Sequence, residues 1–487
     1  MFGLALALSV AGLMIGPLVT TWAHRRTGWL DVLDAALLGG VLPLVLFRLV
    51  PHLVDEIGGV AVLGVAGGYV AFAAIEGRSH RGAARLGTAI LLPTLAIHSL
   101  LDGTALAVAF QQGGAGAAGA ALGLALVIHR VPEGMVIAVA LVPTLGVRAT
   151  MLRIGALAAA TVVGALGGRE LLAHAPDRAL HVVVAVGLGV MLRMVVHNHR
   201  ADDRGHDAAR AWPAGLAFLA AAAVALCVPE PWQLLSSSQP DELPVALAIV
   251  PLFLETAPVV LAALVLGELL GHPRFAARSG NAARSWPAGW GCAAILAAFW
   301  LGPWFAAVAV VLGAATAWWM TGQRPTLAAV APRAAAIAPA YAVGIAIALV
   351  VEATVPAGAL GEVAGWAIVA GAIATAAIVP MTAVGLVPVA AIAVHKGASP
   401  GAGLAFVLAG VALAAQPVDR KRLAGALAVV VVAAVASDAL LSVGPDLHAL
   451  GRHHHNAYEY GAAIAVAAWL AFEVVRRGPR AFLAAVR

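Results

Sequence analysis

Leu95–Ala109 reads LAIHSLLDGTALAVA, and Leu126–Ala140 reads LVIHRVPEGMVIAVA. Each is an apolar run with a His near its middle and an acid four residues later. The pairs are His98 with Asp102 and His129 with Glu133. Aligned without gaps at an offset of 31 residues, the two runs share Leu, Ile, His, Gly, Ala, Val and Ala at seven of fifteen positions. Residues four apart lie one above the other on a helix face. The reading that fits is two sequential helices, each placing an imidazole and a carboxylate deep inside an apolar segment.

The surroundings say what those segments cross. The chain has 487 residues, of which 62% are hydrophobic and 11% charged, with a mean hydropathy of +0.95. Soluble domains run at roughly 45–50% apolar and about 25% charged, so a soluble globule and a disordered chain are both excluded. Apolar blocks fall at about 2–20, 33–52, 58–76, 86–110, 117–143, 150–167, 179–197 and 213–228. A second series falls at about 244–270, 288–320, 334–352, 364–394, 397–418, 423–443 and 459–475. Most approach the length of about 20 residues that a hydrocarbon core of roughly 30 Å demands. The expected fold is an all-α polytopic membrane protein, in which an eight-span bundle is followed by a second helical, permease-like bundle. Residues 229–243, PEPWQLLSSSQPDEL, form the expected linker between a domain at 1–228 and another at 244–487.

The net charge of +5 does not point to nucleic acid, because the basic residues sit in short groups between apolar blocks. Loops after spans 1, 3, 5, 7 and 9 hold thirteen arginines, against two in the N-terminus and the loops after spans 2, 4, 6 and 8. That asymmetry places the N-terminus and the 229–243 linker outside the cytoplasm, in a multi-pass protein of the inner (plasma) membrane. Phe2–Val19 has no basic leader and reads as a retained span. Cys227 and Cys292 are the only cysteines, too few for a disulfide framework. In the second series, 288–320 is interrupted at Gly302-Pro303, and 397–418 is flanked on both sides by basic residues. These blocks are either hairpins or re-entrant segments lining a cavity, or kinked single spans.

Ionisable residues at the bilayer centre cost roughly 2.5–3.5 kcal/mol each on insertion scales. Two His–acid pairs at one depth on neighbouring helices therefore suggest a site. Imidazole and carboxylate together suit a borderline divalent cation such as zinc, iron or manganese. Both acids precede a glycine, Gly103 and Gly134, which permits close helix approach. Pro132 donates no backbone hydrogen bond and leaves the Ile128 carbonyl available as an oxygen donor. Arg130 sits beside His129, and a buried guanidinium needs an anionic partner. Glu133, three residues on, is within reach, and Asp102 can approach from the other helix.

These motifs resemble those of the ZIP (Zrt-, Irt-like) family of divalent-metal transporters, over residues 1–228. The family's fourth span carries His-Asn-x-x-[Asp/Glu]-Gly and its fifth His-[Asn/Glu]-x-Pro-Glu-Gly. FRLVPH at Phe47–His52 and GGYVAFAAIEG at Gly67–Gly77 are weaker matches. The resemblance implies a metal path between spans 4 and 5, with His98 and Glu133 as primary ligands, Asp102 in the adjoining site and Glu133 able to bridge. His129 occupies a variable motif position. Two residues depart from the pattern: Ser99 replaces an Asn, and Arg130 stands where a second metal is usually held, so one metal or two is left open. Both are accessory candidates.

Other histidines, His80, His197, His199, His206 and His453–His455, lie in basic or polar segments that read as solvated loops able to capture metal weakly. Arg48 and Arg193 read as snorkelling span-end residues. Residues 380–410 resemble, over about thirty positions, a predicted-permease family that includes organoarsenical efflux permeases. Thr382 and Val384 stand in place of that family's cysteines, which removes its soft thiolate chemistry.

The expected function is membrane transport of a divalent transition-metal cation of the zinc, iron or manganese class, zinc foremost, as cargo through a site between spans 4 and 5, with no enzyme chemistry and no cofactor. The expected partners are the metal ion and the lipid bilayer, with no nucleic acid; a homodimer is left open. The first alternative is a permease for another solute whose ZIP-like half is regulatory or degenerate. The second is an intramembrane zinc protease, which requires His-Glu-x-x-His; this chain has His129-Arg130 instead.

Overall fold

A computed structural model describes residues 2–24, 29–76, 117–172, 177–196, 208–227, 303–321, 334–378 (apart from 357 and 364), 381–414, 420–440 and 457–486. It also describes 92–107 apart from 94 and 105, and scattered positions between 253 and 301. The linker expected at 229–243, and the histidines at 80, 197, 199, 206 and 453–455, lie outside the described residues, as do the side chains of Arg48 and His129.

The described secondary structure is helical throughout. Six helices are long and apolar enough to cross a membrane: Phe2–Trp22, Asp31–Ile57, Leu145–Gly167, Ile337–Thr354, Lys421–Ala439 and Tyr458–Arg477. The chain is a multi-pass helical membrane protein. The expected count is higher, with eight spans in the first series alone, and the described helices do not supply it. Val60–Ala74, His181–Arg193 and Ala211–Leu226 are apolar but shorter, and the segment carrying His98 runs into residues outside the description.

The chain divides into two compact units, Met1–Leu243 with Val475–Arg480, and Pro244–Val474 with Ala481–Arg487. In the first unit α1 is Phe2–His24, and α2 begins as Trp29–Leu44. It continues through a widened π turn at Val45–Leu49 into Val50–Ile57. Pro43 and Pro51 bracket that turn; neither can donate a backbone hydrogen bond, and the Val50 N–H reaches back to the Val45 carbonyl. Gly58, with φ 67°, caps the helix and turns the chain into α3, Val60–Glu76. Helix α4 covers 95–104. Helix α5, Ala117–Leu172, is two arms meeting at Gly146, whose φ of 78° and ψ of 165° end one helix and start the next. Helices α6, Asp177–Val196, and α7, Ala208–Cys227, complete the unit.

Small residues set the pairing of these helices. Helix α1 packs on the first arm of α5, α2 on α7, and α3 on α6. A β-carbon at Gly16 would collide with the backbone at Gly134, and one at Gly68 with the Val186 carbonyl. Between apolar helices in lipid, such close backbone approach supplies the dispersion contact that holds the pair together. Arg193 does more than snorkel: its guanidinium lies 5.4 Å from the centre of the Tyr69 ring. Arg480, from the short C-terminal segment of this unit, forks onto Asp34 and also donates to the carbonyls of Val195 and Val196, each at 3.0 Å.

The second unit contains α8, Pro303–Thr321, α9, Ala334–Thr354, α10, Gly365–Ile378, α11, Ala383–His395, α12, Pro400–Ala414, α13, Arg420–Leu440, and most of α14, Ala457–Arg477. The interruption read at Gly302-Pro303 falls partly on Gly302, which lies outside the described residues, with helical positions at Leu301 and from Pro303 onward. Helix α11 has 13 residues, about 20 Å at 1.5 Å per residue, too short alone for a bilayer; α12 is described over 15 residues. Both are buried over nearly their whole length, as expected of helices apolar all round. Thr382 is extended, and α11 begins after it and runs through Pro388. At the start of α12, Ser399 Oγ accepts from the Ala402 N–H at 3.2 Å, and Asp438 Oδ1 of α13 accepts from the Gly401 N–H at 2.6 Å.

Candidate metal site

Helix α4 presents His98, Ser99 and Asp102, and the first arm of α5 presents Arg130 and Glu133. The i,i+4 spacing holds as read: His98 Nε2 is 3.5 Å from Asp102 Oδ2. Close approach of α4 to the second arm of α5 fixes the depth of these residues. A β-carbon at Gly103 would strike the Thr161 carbonyl, and one at Gly164 would strike that of Leu100. Thr104 Oγ1 ties the same contact, donating at 2.9 Å to Leu100 and lying 3.2 Å from the Gly164 carbonyl. The glycines that follow the two acids therefore do not face one another. Gly103 meets the second arm of α5, and Gly134 meets α1 at Leu13.

The structure brings His98, Asp102 and Glu133 together: one ligating atom from each lies within 4.8 Å of the others. The side chain of His129, the fourth candidate, lies outside the described residues. Pro132 does so as well. Glu133 is buried, while His98 and Asp102 are half-buried.

Arg130 is at the centre of the cluster and is wholly inaccessible. Its Nη1 donates to Glu133 Oε2 at 2.7 Å and to Ser99 Oγ at 3.0 Å. Its Nη2 lies 3.1 Å from Asp102 Oδ2 and donates to Thr161 Oγ1 at 3.0 Å. Guanidinium stays protonated in any protein environment, so this is a permanent cation held by two carboxylates and two hydroxyls. Thr161 was not legible as a site residue, since it lies on the second arm of α5, and its only signal is a hydroxyl within an apolar run. Two buried atoms of the cluster, Arg130 Nε and Glu133 Oε1, have no hydrogen-bond partner among the described residues.

The cluster borders a cavity of about 50 Å³ lined by α2, α4, α5 and α6, a lining that includes neither Arg130 nor Asp102. His98 and Glu133 are the two polar side chains in that lining; its other side chains, among them Leu44, Leu95 and Met191, are apolar. A space of that size admits an ion or a few waters. An imidazole and a carboxylate are donors that borderline divalent cations accept.

No protein-family model, curated protein or solved structure matched this chain. The class is therefore defined by fold and site alone: a multi-pass helical membrane protein with a buried His/Asp/Glu cluster able to hold a metal ion.

Proposed function

We propose that the protein carries a divalent transition-metal cation, of the zinc, iron or manganese class, across a membrane through the cluster of His98, Asp102 and Glu133. The observation that carries this reading is the convergence of three ligand side chains from two sequential helices within 4.8 Å, inside an apolar helical unit. Ionisable side chains at such depth mark ion pathways far more often than packing. The resemblance of residues 1–228 to the ZIP family supports the same reading, with the metal as cargo. Charge asymmetry supports an extracytoplasmic N-terminus in a plasma membrane. Uptake into proteoliposomes, with a panel of zinc, iron(II), manganese, calcium and magnesium, tests it. Zinc-class accumulation abolished by Glu133→Gln is expected, and no accumulation of any ion overturns the proposal.

One observation favours a second reading. Arg130 already neutralises much of the cluster, as in a structural ion-pair network. In that reading the first unit is a degenerate or regulatory half, and the second unit, with its buried helices α11 and α12, is a permease for another solute. Protein that binds no divalent metal yet remains folded would decide for it.

A further inference from the structure

We propose that Arg130 is a tethered cation that limits the cluster to a single metal ion and weakens the hold on that ion. The inference rests on the metal-site reading above and concerns how the site is filled.

The charges near one another are two carboxylates, Asp102 and Glu133, and one guanidinium. The guanidinium takes one oxygen of each acid, Oδ2 of Asp102 at 3.1 Å and Oε2 of Glu133 at 2.7 Å. A metal bridging these two oxygens would have to share them with a permanent cation at contact distance. That space is closed to a divalent ion. The other oxygen of Glu133 is different. Oε1 is buried without a hydrogen-bond partner, on a residue only 7% exposed, and a buried charged oxygen left unsatisfied is costly. Glu133 and His98 both line the cavity, which Asp102 does not. The open seat is therefore on the cavity side, with Glu133 Oε1 and His98 as its protein donors. Asp102 stays with Arg130.

The anchoring explains why Arg130 does not yield. Ser99 Oγ, itself inaccessible, and Thr161 Oγ1, at 2% exposure, fix both terminal nitrogens from two different helices. A lysine could not reproduce that fork, though it would keep the charge. With Arg130 in place the empty site has one net negative charge, from two acids and one guanidinium. Removing the guanidinium doubles that charge and opens Asp102 Oδ2 and Glu133 Oε2 to ligation.

Zinc binding to the purified full-length protein in detergent, by equilibrium dialysis and elemental analysis, tests the inference on wild type, Arg130→Gln, Arg130→Met, Arg130→Lys and Glu133→Gln. Arg130→Met is included so that a neutral side chain of similar length without an amide to satisfy is tested beside Arg130→Gln. Wild type is expected to bind one zinc per chain at this site, lost in Glu133→Gln. Either neutral variant is expected to bind a second zinc, or the same one at least about tenfold more tightly, given the strength of unit charges at contact distance. Arg130→Lys is expected to remain at one. Two zinc ions lost together in Glu133→Gln from the wild type overturn the inference and leave the metal-site reading standing. So does a single zinc whose affinity is unchanged in both folded neutral variants. No zinc bound by wild type or by either neutral variant overturns the metal-site reading itself.

Discussion

Arg130 and Glu133 are one turn apart on the same helix, and Nη1 of the first donates to Oε2 of the second at 2.7 Å. Their partner across the helix gap is Asp102, so each of the two candidate ligand helices contributes one acid to the same guanidinium. Breaking a buried pair from one side strands the other charge, at a cost of about 3–5 kcal/mol. Glu133→Gln is therefore expected to lower thermal stability in detergent as well as abolish metal binding. Ser99→Ala, which removes one hydrogen bond to a charged group, is expected to cost about 1.5–3 kcal/mol. Thermal unfolding followed by circular dichroism gives the order, with Glu133→Gln the more damaging.

Helix approach at the site is tested by glycine substitution. Gly103→Ala places a β-carbon against the Thr161 carbonyl, and overpacking of this kind costs typically about 1–3 kcal/mol. Gly155→Ala, where a β-carbon meets open space, is expected to be neutral or slightly stabilising. Equal losses of folded protein for the two would contradict the packing described.

Much of this was readable in the residues. The apolar blocks marked the helices, and the repeated His–x–x–x–acid spacing marked the three residues that meet, His98, Asp102 and Glu133, along with His129, whose side chain lies outside the described residues. The need of a buried Arg130 for anions named both of its carboxylate partners. What the sequence lacked was the arrangement of helices around one another. Thr161 is 31 residues from Arg130, with nothing local to link them. Gly103 and Gly164 meet only because α4 lies along the second arm of α5, which no spacing along the chain encodes. Pro388 shows the same from the other side: it lies within α11 and not at its end. Proline removes one hydrogen bond, and burial on all sides keeps α11 continuous through it.

The C-terminal anchor is expected to matter. Arg480 pairs with Asp34 while donating to the Val195 and Val196 carbonyls of α6, so it acts as ion-pair partner and backbone tie together. Arg480→Ala is expected to cost about 3 kcal/mol, and Arg480→Lys to recover only part of it, since ammonium cannot fork across carboxylate and carbonyls. Full recovery by lysine in thermal unfolding would show that charge alone is at work.

The arginine asymmetry makes a prediction about topology. Single cysteines at Ser236, Ser237 or Ser238 in a Cys227→Ala/Cys292→Ala background are expected to react with a membrane-impermeant reagent added outside intact cells. Cysteines beside Arg81 are expected to react only after the membrane is opened. The reverse pattern would invert the orientation.

Zinc K-edge X-ray absorption on the purified, zinc-loaded protein tests the central claim most directly. The account predicts a shell of nitrogen and oxygen with one imidazole and no sulfur. The imidazole scattering should vanish in His98→Ala, and bound zinc should vanish in Glu133→Gln. A spectrum unchanged by His98→Ala, or a sulfur shell from Cys227 or Cys292, would place the metal elsewhere and contradict the account.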